Sequence, residues 1–493
     1  MKNFRTVTAI ALSFSLLSGA AHNLANAQDD PETVTGPAFV IEEREPTEAA
    51  ETAYADANTA YDDADYETAV SLYEDACEGG HMSACRDRGY LAEIGSGMEQ
   101  DYADARAFYQ ISCNGGNASG CAYLGEVFHK GWGVSEDYPR ALELYTQACD
   151  NDSAYGCKMI GEMHTNGTGV EIDHAKALTF FEASCEGGNA AGCGWEGWLL
   201  ERDLEGVPVD YEAAVAAFEL GCQGQNDFSC LHLGFLLEDG NGAPEDAERA
   251  LSLYAESCER EYDDACNSAG YNYFKGIGTA ANNAQALKYY SKGCELELGV
   301  SCMNLSYMYR DGDGVDVSVE QQYALLGKAC EYGRYDTCAD AGQVHYTADK
   351  TPRNYTLSKK YWTLGCDNEE YLNCSNLGAA HEHGRGFEKS YANAREYYQL
   401  ACDNEIGLGC ENLGILYELG RSVDIDLTKA LTLYQKACEL DEDEGCAFAG
   451  DLIYYGFEGQ PANETEGLAL IKDTCERGDS WGCDWLEERD LQE

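Results

Sequence analysis

The amino-acid sequence predicts an all-α solenoid of about twelve antiparallel helix pairs, each closed by its own disulfide. Three observations support this prediction: the cysteines fall into evenly spaced pairs, apolar residues before each pair follow a helical period, and glycine recurs at fixed positions. A chain of 493 residues exceeds the usual size of one hydrophobic core. Its fixed internal period indicates a repeat array rather than several globular domains.

The 24 cysteines form twelve pairs, and seven residues separate the two members of every pair. Successive pairs are 36 residues apart, except for steps of 37 from Cys185 to Cys222 and from Cys438 to Cys475. The pairs are Cys77 and Cys85, Cys113 and Cys121, Cys149 and Cys157, Cys185 and Cys193, Cys222 and Cys230, Cys258 and Cys266, Cys294 and Cys302, Cys330 and Cys338, Cys366 and Cys374, Cys402 and Cys410, Cys438 and Cys446, and Cys475 and Cys483.

Each cysteine pair brackets a bend in the chain. In one continuous helix, residues eight positions apart stand about 12 Å apart along the axis, whereas bridged Cα atoms lie within about 4.4–6.8 Å. The chain therefore turns back between the two cysteines, and the segments Gly79-Gly80, Gly115-Gly116 and Gly187-Gly188 each supply the glycine that ends a helix. Zinc-binding cysteines usually lie about two to four residues apart, so the spacing favours structural disulfides over a zinc or redox site.

The residues around each pair predict two helices per period. Eight residues before the first cysteine, nine of the twelve repeats carry alanine, and four residues before it, ten carry an aromatic residue such as Tyr145. This spacing is typical of one buried helix face, so we interpret the aromatic residues as core. Four residues after the second cysteine, ten repeats carry glycine, as at Gly125, which indicates two closely crossing helices. A Gly-x-Gly turn such as Gly131–Gly133 then follows.

The repeat resembles a known family. Residues 121–134 (Cys-Ala-Tyr-Leu-Gly-Glu-Val-Phe-His-Lys-Gly-Trp-Gly-Val) and 429–438 (Lys-Ala-Leu-Thr-Leu-Tyr-Gln-Lys-Ala-Cys) are similar to the Sel1-like repeat, a relative of the tetratricopeptide repeat. The cysteine pair in every repeat resembles the secreted cysteine-rich branch, the Helicobacter cysteine-rich proteins. The resemblance covers residues 47–491. It implies a right-handed superhelical solenoid of disulfide-stapled antiparallel helix pairs with a concave face.

The N-terminus predicts export. Lys2 and Arg5 precede an apolar run at 7–17, and Ala25-Asn26-Ala27 stands before Gln28, which together are typical of a signal peptide over residues 1–27. Residues 28–46 form an acidic, proline-containing leader that we expect to be disordered. No later segment is apolar enough to span a membrane. We therefore expect an exported protein that is periplasmic or extracellular.

The charge restricts the partners. A formal net charge of −57 disfavours nucleic acid and anionic membrane surfaces, whereas it is compatible with a cationic protein or peptide ligand. Basic residues cluster at one place only, where Lys350, Arg353, Lys359 and Lys360 form a candidate contact patch for an acidic group. The alternative is that these side chains pair with acidic residues of neighbouring repeats.

No residues are assigned to catalysis, to a cofactor or to a metal. The sequence contains no Ser-x-x-Lys, Ser-Asp-Asn, Lys-Thr-Gly or His-Glu-x-x-His motif. His381-Glu382-His383 is the nearest approach to a metal site, but alternate residues of a helix face away from each other. Relatives in the cysteine-rich branch are linked to penicillin binding and β-lactam hydrolysis, and this link rests on the resemblance alone.

Two function classes remain. The first is an exported scaffold that binds a protein or peptide along its concave face, as repeat solenoids do. The second is a binding protein for β-lactams or peptidoglycan fragments with weak β-lactamase-like amidohydrolase activity. The sequence favours the scaffold, because no residue could be assigned to the hydrolysis.

Overall fold

A computed structural model describes residues 45–347, 352–489 and 491. Within these ranges the regular structure consists of 25 α-helices, one short 3₁₀ helix at Tyr335–Thr337 and two isolated β-bridges. The prediction of an all-α chain of disulfide-stapled helix pairs is confirmed. The predicted signal peptide at 1–27 and residues 28–44 of the leader lie outside the described residues.

The chain divides into two compact units, residues 1–151 and 152–493. The described part of the first unit contains helices α1 Glu48–Asp62, α2 Tyr66–Glu78, α3 Met82–Ile94, α4 Tyr102–Asn114, α5 Ala118–Lys130 and α6 Tyr138–Asp150. The described part of the second contains α7 Ala154–Asn166, α8 His174–Glu186, α9 Ala190–Leu200, α10 Tyr211–Gln223, α11 Asp227–Asp239, α12 Ala247–Glu259, α13 Asp263–Lys275, α14 Asn283–Glu295, α15 Gly299–Asp311, α16 Val319–Glu331, α17 Cys338–Thr347, α18 Tyr355–Asp367, α19 Leu372–His383, α20 Tyr391–Asp403, α21 Gly407–Glu418, α22 Leu427–Glu439, α23 Asp443–Tyr455, α24 Glu464–Arg477 and α25 Ser480–Glu487.

Every even-numbered helix from α2 to α24 begins after a capping side chain. The cap is aspartate, asparagine or serine, and its oxygen accepts a hydrogen bond from a first-turn backbone N–H, as from Arg140 to Asp137 at 3.0 Å. The caps are Asp65, Asp101, Asp137, Asp173, Asp210, Asp246, Asn282, Ser318, Asn354, Ser390, Asp426 and Asn463. They sit twelve residues before the first cysteine of every pair, so each even helix starts at the same place.

Each odd-numbered helix packs closely against the even helix that follows it. The glycine four residues after the second cysteine faces the buried aromatic ring of the next helix, and a Cβ added at Gly378 would stand 2.6 Å from the Tyr398 ring. The hydroxyl of that tyrosine donates a hydrogen bond back to Glu382 at 3.0 Å. The expected close crossing of two helices at this glycine is confirmed.

The Gly-x-Gly segments are turns, as predicted. The first glycine ends the odd helix in the left-handed conformation, as Gly240 does at φ 70°. The second approaches the even helix of the preceding repeat, because a Cβ on Gly242 would stand 2.1 Å from the carbonyl oxygen of Tyr211. Both glycines therefore adopt a positive φ, 70° at Gly240 and 75° at Gly242, and the second is needed in addition for the close approach of two backbones.

Disulfides join even helices to the odd helices that follow them. The bridged Cα atoms are between 4.4 Å apart, in Cys113–Cys121, and 5.0 Å apart, in Cys330–Cys338. The other bridges are Cys77–Cys85, Cys185–Cys193, Cys222–Cys230, Cys258–Cys266, Cys294–Cys302, Cys366–Cys374, Cys402–Cys410, Cys438–Cys446 and Cys475–Cys483. Cys149 and Cys157 are also disulfide-bonded, so none of the cysteines in the described residues is free.

The loop inside each disulfide contains one residue with positive φ, three positions after the first cysteine. Glycine occupies it in some repeats, as at Gly80 and Gly188, in agreement with the sequence prediction. Other repeats place a side chain there, and most of these side chains are acidic: Asp152, Gln225, Glu261, Glu297, Glu369, Glu405 and Asp441. A left-handed conformation costs such a residue about 1–2 kcal/mol. The conformation is the same whichever residue occupies the position.

Replacing Gly234 with alanine should lower the free energy of unfolding by about 1–3 kcal/mol. The added methyl group would stand 2.3 Å from Cε1 of the Tyr254 ring, which is fully buried and cannot move aside. Chemical denaturation measures the change. Ser306 occupies the equivalent position of α15, and Ser306→Ala is the control, which loses only the hydrogen bond to the Met303 carbonyl and should destabilise the fold less. Equal effects of the two substitutions would contradict the close-contact interpretation.

Reduction of the disulfides should lower the melting temperature sharply. Each bridge closes a short loop and stabilises the fold by about 2–3 kcal/mol in the chain-entropy description. Thermal melts recorded by circular dichroism with and without reductant, with thiols counted after each run, test this expectation. An unchanged melt of a fully reduced sample would contradict it.

Candidate binding surface

In the second unit the odd-numbered helices α9, α11, α13 and α15 also contact one another. The Trp195 and Phe228 rings are 6.1 Å apart across α9 and α11. Asn272 of α13 donates a hydrogen bond to Glu238 of α11 at 2.9 Å. Asn304 of α15 donates to Asn267 of α13, also at 2.9 Å. These four helices therefore lie side by side, and residues at one repeat position form a line across them.

The position five residues after the second cysteine is aromatic in all four of these helices. It is occupied by Trp198, Phe235, Tyr271 and Tyr307, which we call the aromatic row. Phe235 is 41% exposed and Tyr307 is 37% exposed, while the other two rings are half-buried. These rings occupy one register position on four successive odd helices, and exposed apolar groups that lie together mark interaction sites more often than scattered ones do.

Cationic side chains accompany the aromatic row. The Arg202 guanidinium lies 4.3 Å from the Trp198 ring centre, and that of Arg310 lies 4.6 Å from the Tyr307 ring centre. Lys275 Nζ lies 5.9 Å from the Tyr271 ring. These distances fall within the range of cation–π contacts. The row therefore presents aromatic rings beside polar groups, the combination found at the energetic centres of protein interfaces.

The length of the row matches a short polypeptide segment. Packed helices lie about 8–10 Å apart, so four neighbouring helices place their outermost rings about 25–30 Å apart. An extended chain rises about 3.3 Å per residue, and eight or nine extended residues therefore cover about the same distance. The rings repeat about every third residue of such a ligand.

A second feature lies on helices α21, α23 and α25, and we call it the acidic end. Its central residue is Glu411 of α21, which is only 4% exposed and has a buried Oε2 atom without a hydrogen-bond partner among the described residues. Glu442 precedes α23 without capping it, and Glu444 follows in its first turn. Asp479 precedes α25 and accepts a hydrogen bond from the Gly482 N–H at 2.5 Å. These four carboxyl groups come from three different repeats.

Burial and neighbouring negative charges raise the pKa of three carboxyl groups in the acidic end. Burial raises the pKa of Glu411 to about 8, and the negative charges of Glu444, Glu442 and Asp479 add to the increase. Burial also raises the pKa of Glu442 and Glu444. Outside the acidic end, burial and the negative charges of Glu182 and Glu186 raise the pKa of Glu196 on α9 to about 7. Because its pKa is about 8, Glu411 carries a proton for most of the time at neutral pH.

The members of the sequence-predicted basic patch have separate local contacts. Lys360 forms an ion pair with Glu331 of the preceding even helix, with 2.6 Å between Nζ and Oε1. Arg353 donates a hydrogen bond to the Thr347 carbonyl at 3.2 Å, and Lys359 Nζ lies 5.8 Å from the Phe387 ring. Lys350 lies outside the described residues. A role of this patch as a contact site stays a prediction, although Lys360 shows the pairing with a neighbouring repeat that was its alternative.

The His381-Glu382-His383 segment has structural partners. Glu382 accepts a hydrogen bond from Tyr398 and pairs with Arg421, and the His381 ring stacks on Tyr397 with centres 5.7 Å apart. In the described ranges, no group of three or more histidine, cysteine, aspartate or glutamate side chains is arranged to hold a metal ion.

The Sel1 repeat family matches ten segments of the chain, which are residues 61–81, 83–117, 118–153, 154–189, 228–262, 263–298, 299–333, 336–369, 374–405 and 408–442. The chain belongs to the Sel1 repeat family. Most matched segments begin with an odd helix and end after the next even helix. In this frame the glycine–aromatic contact holds one Sel1 repeat together, and a disulfide joins it to the next. The prediction that each bridge closes its own repeat is corrected accordingly.

The chain is similar to two solved structures of repeat proteins. A protective antigen of uropathogenic Escherichia coli that displays an SLR fold is 22% identical, over 89% of this chain and 94% of that chain, with a TM-score of 0.50. A Sel1 repeat protein from Oxalobacter formigenes is 23% identical, over 49% of this chain and 96% of that chain, with a TM-score of 0.43. No curated protein matches the chain.

The disulfides also bear on the compartment. Twelve cysteine pairs, all disulfide-bonded, point to an oxidising environment outside the cytoplasm. Among the described residues, none of the helices combines the length and the apolar character needed to cross a membrane.

The aromatic row and the acidic end were not identified from the sequence. The row could have been found by comparing the position after each recurring helical glycine, where four consecutive repeats carry an aromatic residue. The acidic end left no such signal, because its members occupy three different repeat positions.

Glu411→Gln should remove part of the pH dependence of stability. The native state holds a proton on Glu411 that the unfolded chain releases above the ordinary glutamate pKa of 4.5, so stability falls as pH rises from about 5 to about 8. The variant keeps a neutral side chain and should exceed the wild type by at least about 1 kcal/mol above pH 8. Denaturant unfolding across this pH range measures the difference. Glu439→Gln, an exposed change of the same charge, is the control, and identical curves for the two variants would contradict the assignment.

Proposed function

We propose that this protein is an exported interaction scaffold that binds an extended segment of a protein or peptide across the aromatic row. The observation that carries the proposal is the alignment of Trp198, Phe235, Tyr271 and Tyr307 on four neighbouring helices. Large, stiff aromatic side chains lose little conformational entropy on binding and dominate the energetics of many interfaces.

The Sel1 repeat architecture supports this function. Repeat proteins present extended surfaces made of equivalent positions in successive repeats, and ligands bind along them. The glycine–aromatic contacts and the disulfides keep neighbouring helices at fixed separations, so the rings are arranged before a ligand arrives. Preorganisation of this kind reduces the entropy that binding must overcome.

The predicted signal peptide at 1–27 and the disulfides support an exported location, in the periplasm or outside the cell. The large negative charge favours a partner that carries positive charge beside the segment bound by the aromatic row.

The hydrolase alternative has no assigned residues. It stays a prediction from family association, and turnover of nitrocefin by the oxidised protein would support it. The scaffold proposal needs no catalytic residue.

Paired substitution of Phe235 and Tyr307 with serine should weaken ligand binding by about tenfold or more, because the two most exposed rings of the row are lost. Linear peptides selected on the wild-type protein from a random library serve as ligands, and calorimetry measures their affinity. The control pair is Leu220→Ser and Leu400→Ser, exposed by 55% and 42% on even helices α10 and α20. Equal affinity of the row variant and the wild type would contradict the proposed site, as would equal losses in both variants.

A further inference from the structure

The acidic end contains several carboxyl groups and no compensating cation among its described contacts. The charged groups that act on Glu411 are Glu442 and Glu444 from α23 and Asp479 from α25, and all three are negative. Glu411 itself is almost fully buried, and its Oε2 atom has no hydrogen-bond partner in the described structure. A buried polar atom without a partner costs about 1–3 kcal/mol, more if it is charged, so proteins seldom keep one without a reason.

Two cations on the helices beside the acidic end, Arg477 and Lys436, have other partners. Arg477 of α24 pairs with Asp443 and, at 3.0 Å, with Asp473. Lys436 of α22 donates a hydrogen bond to the carbonyl oxygen of Cys402 at 2.7 Å. The Tyr434 hydroxyl of α22 donates a hydrogen bond to Glu418. Glu411 is one of the acidic residues that raise the pKa of Tyr434. None of the charged groups that shift the pKa of Glu411 is a cation.

We propose that the acidic end binds the guanidinium group of an arginine side chain from a partner polypeptide. The inference deepens the proposed scaffold function and rests on it, since the arginine belongs to a ligand of the same unit. A guanidinium is planar, carries five N–H donors, and is less strongly hydrated than an ammonium ion, so it suits a half-buried site lined by several carboxylates. Glu411 would accept a hydrogen bond from the guanidinium at the buried end of the site. Glu442, Glu444 and Asp479 would lie around it.

The arrangement favours an organic cation over a bare metal ion. A metal requires three or more ligand atoms on one small sphere, and the described side chains form no such group. Carboxylates spread over three helices instead suit a guanidinium, which donates several hydrogen bonds in different directions.

Binding should release a proton. At neutral pH Glu411 is largely protonated, because burial and its acidic neighbours raise its pKa to about 8. An arriving guanidinium stabilises the ionised carboxylate, so the proton passes to the buffer as the ion pair forms. The same coupling predicts tighter binding as pH rises toward 8, until Glu411 is ionised without the ligand.

The test uses the full chain and an acetylated, amidated Gly-Arg-Gly peptide, with calorimetry at neutral pH in two buffers of different ionisation enthalpy. We expect weak saturable binding with proton release. Glu411→Gln should weaken it by about tenfold or more and abolish the proton release, and Glu444→Gln should weaken it less. Glu439→Gln, which removes one exposed charge from the same repeat, should leave both quantities unchanged.

Several results would overturn the inference. Unchanged binding in Glu411→Gln, an equal loss in Glu439→Gln, or equal affinity for the peptide with neutral citrulline in place of arginine would each do so. Equal proton release on adding calcium chloride alone would show that the acidic end binds a metal ion instead of a guanidinium. Failure here is distinguishable from failure of the scaffold proposal, because the serine substitutions in the aromatic row are tested with peptides selected without reference to arginine.

Discussion

The contact between a glycine of most odd helices and a buried ring of the next even helix determines the geometry of this protein. At Gly234 the Tyr254 ring occupies the space that any side chain would need, so the two helix axes are held at one separation. The same contact recurs in nearly every repeat, and it keeps each repeat position at an equivalent place. The aromatic row exists for this reason: rings form a line only if successive helices share one register.

Two kinds of junction alternate along the chain. Within a Sel1 repeat the helices are held by the glycine–aromatic contact, and between repeats a disulfide closes a short loop. The loop closed by the disulfide holds non-glycine residues in a left-handed conformation in seven repeats. Glu297 and Glu405 have φ values of 68° and 64°, where glycine would be expected. In these repeats the position carries charge and accepts the cost of a left-handed conformation.

The periodic features could be predicted from the sequence, and the non-periodic ones could not. Cysteines, helical glycines and buried rings recur in nearly every repeat, so a single sequence shows them many times over. The capping residues, such as Asp137, recur as regularly and could be predicted in the same way. Glu411 illustrates the opposite case, since its significance depends on burial and on residues from two later repeats. The basic patch was selected because its members are close in sequence, yet in the structure Lys360 and Arg353 have separate partners.

The residues that stabilise the fold and those that form the surface occupy different repeat positions. One scaffold can therefore carry two different surfaces. The positions that stabilise the fold are nearly constant, so changes elsewhere in a repeat do not disturb the helix spacing. Five residues after the second cysteine, the side chain is Tyr271 in one repeat, Gln343 two repeats later and Ile415 two repeats after that. Substitution at such positions changes the chemistry of the surface while its dimensions stay the same. A ligand that contacts both the aromatic row and the acidic end would therefore be selected by the order of its side chains, since the spacing of the helices is set by the repeat.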